Sequence, residues 1–168
     1  MSPMQKDPTP WRRLGETLAG RLTARARGLL SPEFVLLNGE GARIGKLDVQ
    51  GPTDADLTAG DVDARIERAE RSGYAMLFSG KEILTSTANP TSPEVTSHNH
   101  PYTASLSLLR NKAEAGPKDR TTTVRIRGGL TNRTYEVSFD PGDENALPVA
   151  LFLLYRLTSQ RSRAYRAG

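Results

Sequence analysis

The chain has 168 residues, the size of one domain, and 36% of them are hydrophobic, enough for a single core at this length. It has no cysteine, which excludes disulfide scaffolds, thiolate zinc sites, iron–sulfur clusters and cysteine nucleophiles. The net charge of +4 is unevenly spread: residues 1–31 carry six basic and two acidic residues, 32–149 carry 13 basic and 17 acidic, and 150–168 carry four basic and none acidic. No stretch approaches the ~20 apolar residues of a membrane span, and the N-terminus lacks the apolar region of a signal peptide. These features predict a soluble, cytoplasmic, single-domain protein with basic ends around an acidic middle.

Residues 1–10 contain three prolines and read as disordered. Residues 11–30 read as a basic amphipathic helix. Trp11, Leu14, Leu18, Leu22 and Leu29 supply the apolar stripe, and Arg12, Arg13, Arg21, Arg25 and Arg27 flank it. Ser31-Pro32 ends it. Strand patterns follow. Phe34–Leu37 and Ala42–Val49 flank Asn38-Gly39, a strong hairpin signal. Residues 51–60 read as an acidic loop. Asp61–Ser72 fits either a helix capped by Asp61 or a strand. Tyr74–Phe78 and Glu82–Thr87 form a second hairpin across Ser79-Gly80-Lys81. Residues 89–101 read as a proline-rich loop, Thr103–Arg110 as a strand and 111–120 as a polar loop. Thr122–Arg127 and Thr134–Phe139 alternate with period two, as in an antiparallel sheet with one wet face. Seven or eight strands are legible in all.

The last element is the most telling. Pro148 suits a first helical turn, and Val149–Leu157 (VALFLLYRL) has Arg156 as its only charge. A surface helix keeps a polar face. This one is apolar nearly all round, and its nine residues span about 13.5 Å, too short for a bilayer but suited to threading a small barrel. The expected architecture is a closed antiparallel β-barrel around a buried C-terminal helix over 31–158. A basic arm (1–30) precedes it and a basic tail (159–168) follows.

The run Tyr135-Glu-Val-Ser-Phe-Asp-Pro-Gly-Asp-Glu-Asn-Ala-Leu-Pro-Val-Ala-Leu-Phe-Leu-Leu-Tyr-Arg-Leu157 resembles the C-terminus of the tubby-like superfamily, closest in style to its LURP-one-related and phospholipid-scramblase branches. Gly41-Ala-Arg-Ile-Gly45-Lys-Leu47 also resembles segments of such barrels. The resemblance implies a twelve-stranded barrel with an apolar helix through its middle, and a non-enzymatic module. Some members bind phosphoinositide headgroups and some are linked to lipid scrambling. No family lipid-contact residue matches a position here.

The residues themselves suggest several sites. Arg12, Arg13, Arg21, Arg25 and Arg27 can lie on an anionic membrane with Trp11 at the interface, or pack as an arm on the barrel. Arg156, Arg161, Arg163 and Arg166 can bind phosphates of lipid or nucleic acid, or simply complement the helix dipole. Arg125 and Arg127 on a wet strand face can line a phosphate site with Arg133, although a cross-strand pair with Glu136 is the simpler reading. His98 and His100 lack the three or four ligands a metal site needs. Asp54-x-Asp56 fails the calcium-loop pattern, because Ala59 and Arg65 stand at the glycine and glutamate positions. Gly39-x-Gly41-x-x-x-Gly45 and Ser79-Gly80-Lys81-Glu82 match neither dinucleotide nor P-loop spacing. No cofactor is implied. The preferred reading is a non-enzymatic binding module on an anionic phospholipid surface. A nucleic-acid-binding protein using its Arg-rich ends is the alternative, weakened by the scarcity of exposed aromatics for base stacking.

Overall fold

The computed structural model describes residues 9–27, 33–50, 53–69 and 73–167, with side chains from residue 10 to 161. Of residues 1–10, expected to be disordered, 1–8 lie outside the described residues, as does the Ser31-Pro32 stop, whereas Thr9 and Pro10 begin a helix. The chain begins with helix α1 (Thr9–Leu18). Twelve strands follow: β1 (Arg21–Ala26), β2 (Glu33–Leu37), β3 (Arg43–Val49), β4 (Asp54–Ala59), β5 (Val62–Ala69), β6 (Gly73–Phe78), β7 (Lys81–Thr87), β8 (Glu94–Ser97), β9 (His100–Ser107), β10 (Lys112–Pro117), β11 (Val124–Gly128) and β12 (Thr134–Phe139). Helix α2 (Ala146–Ala167) closes the chain. Each strand pairs antiparallel with its sequence neighbours, and β1 pairs with β12, so the meander closes into a barrel with no free edge.

Several expectations are corrected. The N-terminal helix does not run to residue 30: it ends at Leu18, and Ala19 (φ 53) and Gly20 (φ 88) reverse the chain. A side chain at Gly20 would meet the Phe139 carbonyl oxygen at 2.8 Å, so this turn lies tight against β12. Beyond it Leu22 and Ala24 point inward while Arg21 and Arg25 point out. That period of two makes 21–26 the barrel's first strand, so the barrel starts ten residues earlier than residue 31. The acidic loop at 51–60 contains β4, whose Ala55, Leu57 and Ala59 face the core. Asp61–Ser72 takes its strand alternative as β5, so Asp61 caps no helix. The loops at 89–101 and 111–120 hold β8, the start of β9, and β10. The tail after Ser159 is a continuation of α2.

The expected buried helix is observed. Every residue of α2 from Ala146 to Ser159 is buried, on all faces. Only an enclosing wall can bury a helix in this way, and the twelve strands supply it. Phe152 and Tyr155 sit edge-on to Tyr74 of β6, with ring centroids 5.9 and 6.1 Å apart. The one buried charge on this stretch, Arg156, donates from Nη1 to the Tyr74 hydroxyl at 2.9 Å and lies 4.3 Å over the same ring. Arg156 is therefore a core residue and not part of a phosphate-binding tail.

Asp143 ties the helix entrance to the wall. Its carboxylate accepts from the Tyr102 hydroxyl at 2.7 and 2.8 Å and from Thr123 Oγ1 at 2.9 Å, and its carbonyl accepts from Ala146 N at 3.1 Å. Burial, reinforced by Asp143, pushes the Tyr102 hydroxyl well above the ordinary tyrosine pKa, and burial raises Tyr135 and Tyr155 as well. The unfolded chain releases these protons near pH ~10, while the folded chain retains them. Stability from these groups is fully present below that pH and is lost as pH rises above it. The urea midpoint should therefore fall steeply above about pH 10, together with the appearance of phenolate absorbance. Ionisation of more than two of the five tyrosines before any loss of structure would contradict this account of the burial.

Wall spacing is equally strict at Gly45 of β3, which pairs with Ala59. A Cβ there would overlap the Thr58 carbonyl oxygen and lie 2.6 Å from the Ala59 Cα, both backbone atoms that cannot rotate away. Gly45→Ala is expected to cost about 1–3 kcal/mol, as overpacking does, and to lower the melting temperature. An unchanged melting temperature would show that the wall can yield here.

Candidate functional site: a cationic groove on the outer wall

The interior is filled by α2, so recognition falls to the outside. Four strands, β1, β12, β11 and β10, lie side by side across the closure seam. Their alternation sends every second side chain outward. Register then assembles two rows. In the first, Arg21 lies opposite Ser138, Ser138 opposite Arg125, and Arg125 opposite Glu114. In the second, Thr23 lies opposite Glu136, Glu136 opposite Arg127, and Arg127 opposite Lys112. The rows line a surface groove of about 380 Å³.

The groove holds four cations (Arg21, Lys112, Arg125, Arg127) and two carboxylates (Glu114, Glu136). Among the described residues no ion pair engages any of the four cations. The cross-strand pair between Arg127 and Glu136 is thus corrected: they are register partners, but no ion pair joins them. Neighbouring strands run about 4.8 Å apart, so Arg21 of β1 and Arg125 of β11 flank Ser138 of β12 in register. Planar guanidinium forks with nearby hydroxyls suit the oxygens of a phosphate group.

The other arginines singled out in the sequence are dispersed. Arg12 pairs with Glu144 at 2.6 Å, Arg13 with Asp61 at 3.1 Å and Arg27 with Glu33 at 3.5 Å. The α1 arginines therefore pin the helix to two parts of the barrel, as an arm packed on its surface. Arg25 is exposed on β1 but lies outside the groove. Arg161 is half-buried, donating to Asn132 Oδ1 at 2.7 Å and to the Leu108 carbonyl at 2.5 Å. The side chains of Arg163 and Arg166 lie outside the described residues. Among the described residues, Arg21 is the one member of the basic-end set that lines the groove.

The acidic segment is also accounted for. Arg65 binds Asp54 at 2.6 Å, Asp56 at 2.7 Å and Glu67 at 3.1 Å, and the bonds to Asp56 and Glu67 raise its own pKa further. These carboxylates sit on strands around one guanidinium instead of forming a solvated loop. Among the described residues no group of three or more His, Asp or Glu is placed to hold a metal ion, and no helix is long and apolar enough to cross a membrane.

Fold and surface together define a class: a closed antiparallel barrel of twelve strands, filled by its own C-terminal helix. Among solved structures the chain is similar to a protein of Arabidopsis thaliana determined by X-ray crystallography, with a TM-score of 0.58 at 11% identity, covering 88% of this chain and 94% of that one. At this identity the likeness shows the fold alone. No family model matches the sequence, and no curated protein matches it.

Proposed function

We propose that this chain is a non-enzymatic binding module of the tubby-like kind, in the style of the LURP-one-related and scramblase branches. It docks onto the phosphate headgroups of anionic membranes from the cytoplasmic side. The observation that supports this is the groove on β1, β12, β11 and β10, where four cations outnumber two carboxylates and, among the described residues, engage in no ion pair. Each basic residue held near an anionic bilayer contributes about 1 kcal/mol. The groove has no aromatic side chain in its lining, so bases would find no stacking platform there. This favours lipid phosphate over nucleic acid.

The test is flotation of the full chain with neutral phosphatidylcholine vesicles and with vesicles containing phosphatidylserine, at low and physiological salt, beside a single-stranded DNA binding assay. Binding to anionic vesicles that weakens with salt, without comparable DNA binding, supports the reading. Indifference to vesicle charge removes it, and tight binding to DNA alone would transfer the groove to nucleic acid.

A further inference from the structure

We propose that the protein anchors itself in an anionic bilayer by inserting Leu109 and Leu130, from two neighbouring turns at one end of the barrel. The inference rests on the phospholipid reading of the cationic groove and adds to it an apolar anchor and an orientation. Among the described residues, Leu109 (92% exposed) and Leu130 (97% exposed) are the only large hydrophobic side chains left in water. A lone exposed leucine is ordinary, but these two share one place. Leu109 lies in the β9–β10 turn (108–111) and Leu130 in the β11–β12 turn (129–133). Lys112 pairs with Arg127 where β10 begins and β11 ends, so both turns stand at the same end of the barrel. Neighbouring hairpins are two strand spacings apart, which places the tips about 10 Å from each other.

The two turns are braced against each other. Gly128 N donates to the Asn111 carbonyl at 2.8 Å, and Asn111 Nδ2 donates to the Gly129 carbonyl at 2.8 Å. Asn111 (φ 56) and Asn132 (φ 59) supply the left-handed backbone in the two turns, a conformation asparagine tolerates. From α2, Arg161 reaches both turns at once, donating to the Leu108 carbonyl at 2.5 Å and to Asn132 Oδ1 at 2.7 Å. These bonds fix the backbone and leave both leucine side chains in water. A side chain presented on a fixed backbone gives up less freedom on binding.

The charges around the tips choose the partner. Residues 107–112 and 127–134 hold four cations, Arg110, Lys112, Arg127 and Arg133, and no carboxylate. All four are exposed, and among the described residues none is in an ion pair. Lys112 and Arg127 also line the groove, so the cations at the tips continue those of the wall. Apolar tips ringed by cations match the layering of an anionic membrane, in which phosphate lies over hydrocarbon. The carboxylates gathered around Arg65 sit on β4 and β5, six strands from β10 and β11 in the ring of twelve. The acidic wall is therefore turned away from the bilayer when the tips enter it.

The chain has no cysteine, so Leu109→Cys, Leu130→Cys and Thr122→Cys each create a single labelling site for a nitrobenzoxadiazole dye, which brightens in hydrocarbon. Thr122 is exposed in the loop after β10, at the opposite end of the barrel, and serves as reference. With vesicles containing phosphatidylserine, emission from the dye at 109 and at 130 should rise several-fold and shift to the blue, while at 122 it stays unchanged. In the unlabelled full chain, Leu109→Ser/Leu130→Ser should weaken vesicle binding about a hundredfold, since burying one leucine is worth roughly tenfold or more. Its melting temperature should match the parent's, because both side chains are exposed. Flotation of the parent chain with dye emission at 109 and 130 unchanged would overturn the insertion and leave the groove reading standing. A parent chain that does not float with anionic vesicles would overturn both. Self-association of the parent that the double serine variant abolishes would assign the leucines to a second copy of the chain and overturn the proposal.

Discussion

Replacing Phe152 by alanine is expected to destabilise the protein by about 3–5 kcal/mol, the range for truncating a large buried aromatic side chain. Phe152 has no exposed surface and sits in the middle of the buried stretch of α2, with its ring near Tyr74 and Tyr155 at centroid distances of 5.9 and 6.4 Å. The wall cannot collapse around the lost ring, because each strand is tied to two neighbours and the barrel has no edge to slide. The resulting void should persist, which places the cost toward the upper part of that range. Urea unfolding should show a lower midpoint with an unchanged slope. Leu130→Ala serves as control: Leu130 is 97% exposed, and a surface change of this kind stays within about 0.5 kcal/mol. A Phe152→Ala midpoint as close to the parent's as that of Leu130→Ala would mean that α2 is not the core of this barrel.

The double reversal Arg125→Glu/Arg127→Glu should abolish binding to anionic vesicles while leaving the fold intact. Both side chains point outward from β11 and neither is in an ion pair. Two reversals change the groove by four charges. At about 1 kcal/mol for each charge near the membrane surface, this amounts to about 4 kcal/mol, or roughly a thousandfold in affinity. Lys118→Glu, an exposed change outside the groove, tests whether overall charge alone governs binding. Vesicle flotation by the double variant equal to the parent's would remove the groove from the function. A loss in Lys118→Glu of half that free energy, about 2 kcal/mol for its two changed charges, would show a diffuse electrostatic effect instead of a site.

The strands that the sequence hides share a physical feature. In β1, β4 and β10 the inward positions include Ala24, Ala55, Ala59, Ala113 and Ala115, all nearly fully buried. Alanine carries little strand signal, so these segments read as helix or polar loop. On β10, which packs against α2, the small side chains of Ala113 and Ala115 leave room for the helix. The strands with large inward residues, such as β12 with Tyr135, Val137 and Phe139, were legible. The candidate site was harder to read. Arg125 and Arg127 stood out as outward residues, but Arg21 comes from the opposite end of the barrel's strand sequence, and Lys112 from a segment that reads as a polar loop. Counting arginines at the two ends missed the groove, because Arg12, Arg13 and Arg27 are each paired with a carboxylate and Arg156 is buried.

The sequence alone determined the central helix, through an apolar surface with no wet face, and the hairpins with strong turns and large alternating side chains. Those signals are local: a helix that is apolar all round must be enclosed, and Asn38-Gly39 bends its own flanking strands. The tertiary structure decided the number of strands, the fate of residues 21–26 and the identity of the cationic surface. Closure brings β1 against β12 across most of the chain, and the inward alanines gain their meaning only from the closed core they face. No local pattern encodes a neighbour more than a hundred residues away, so the groove exists only once the barrel has closed.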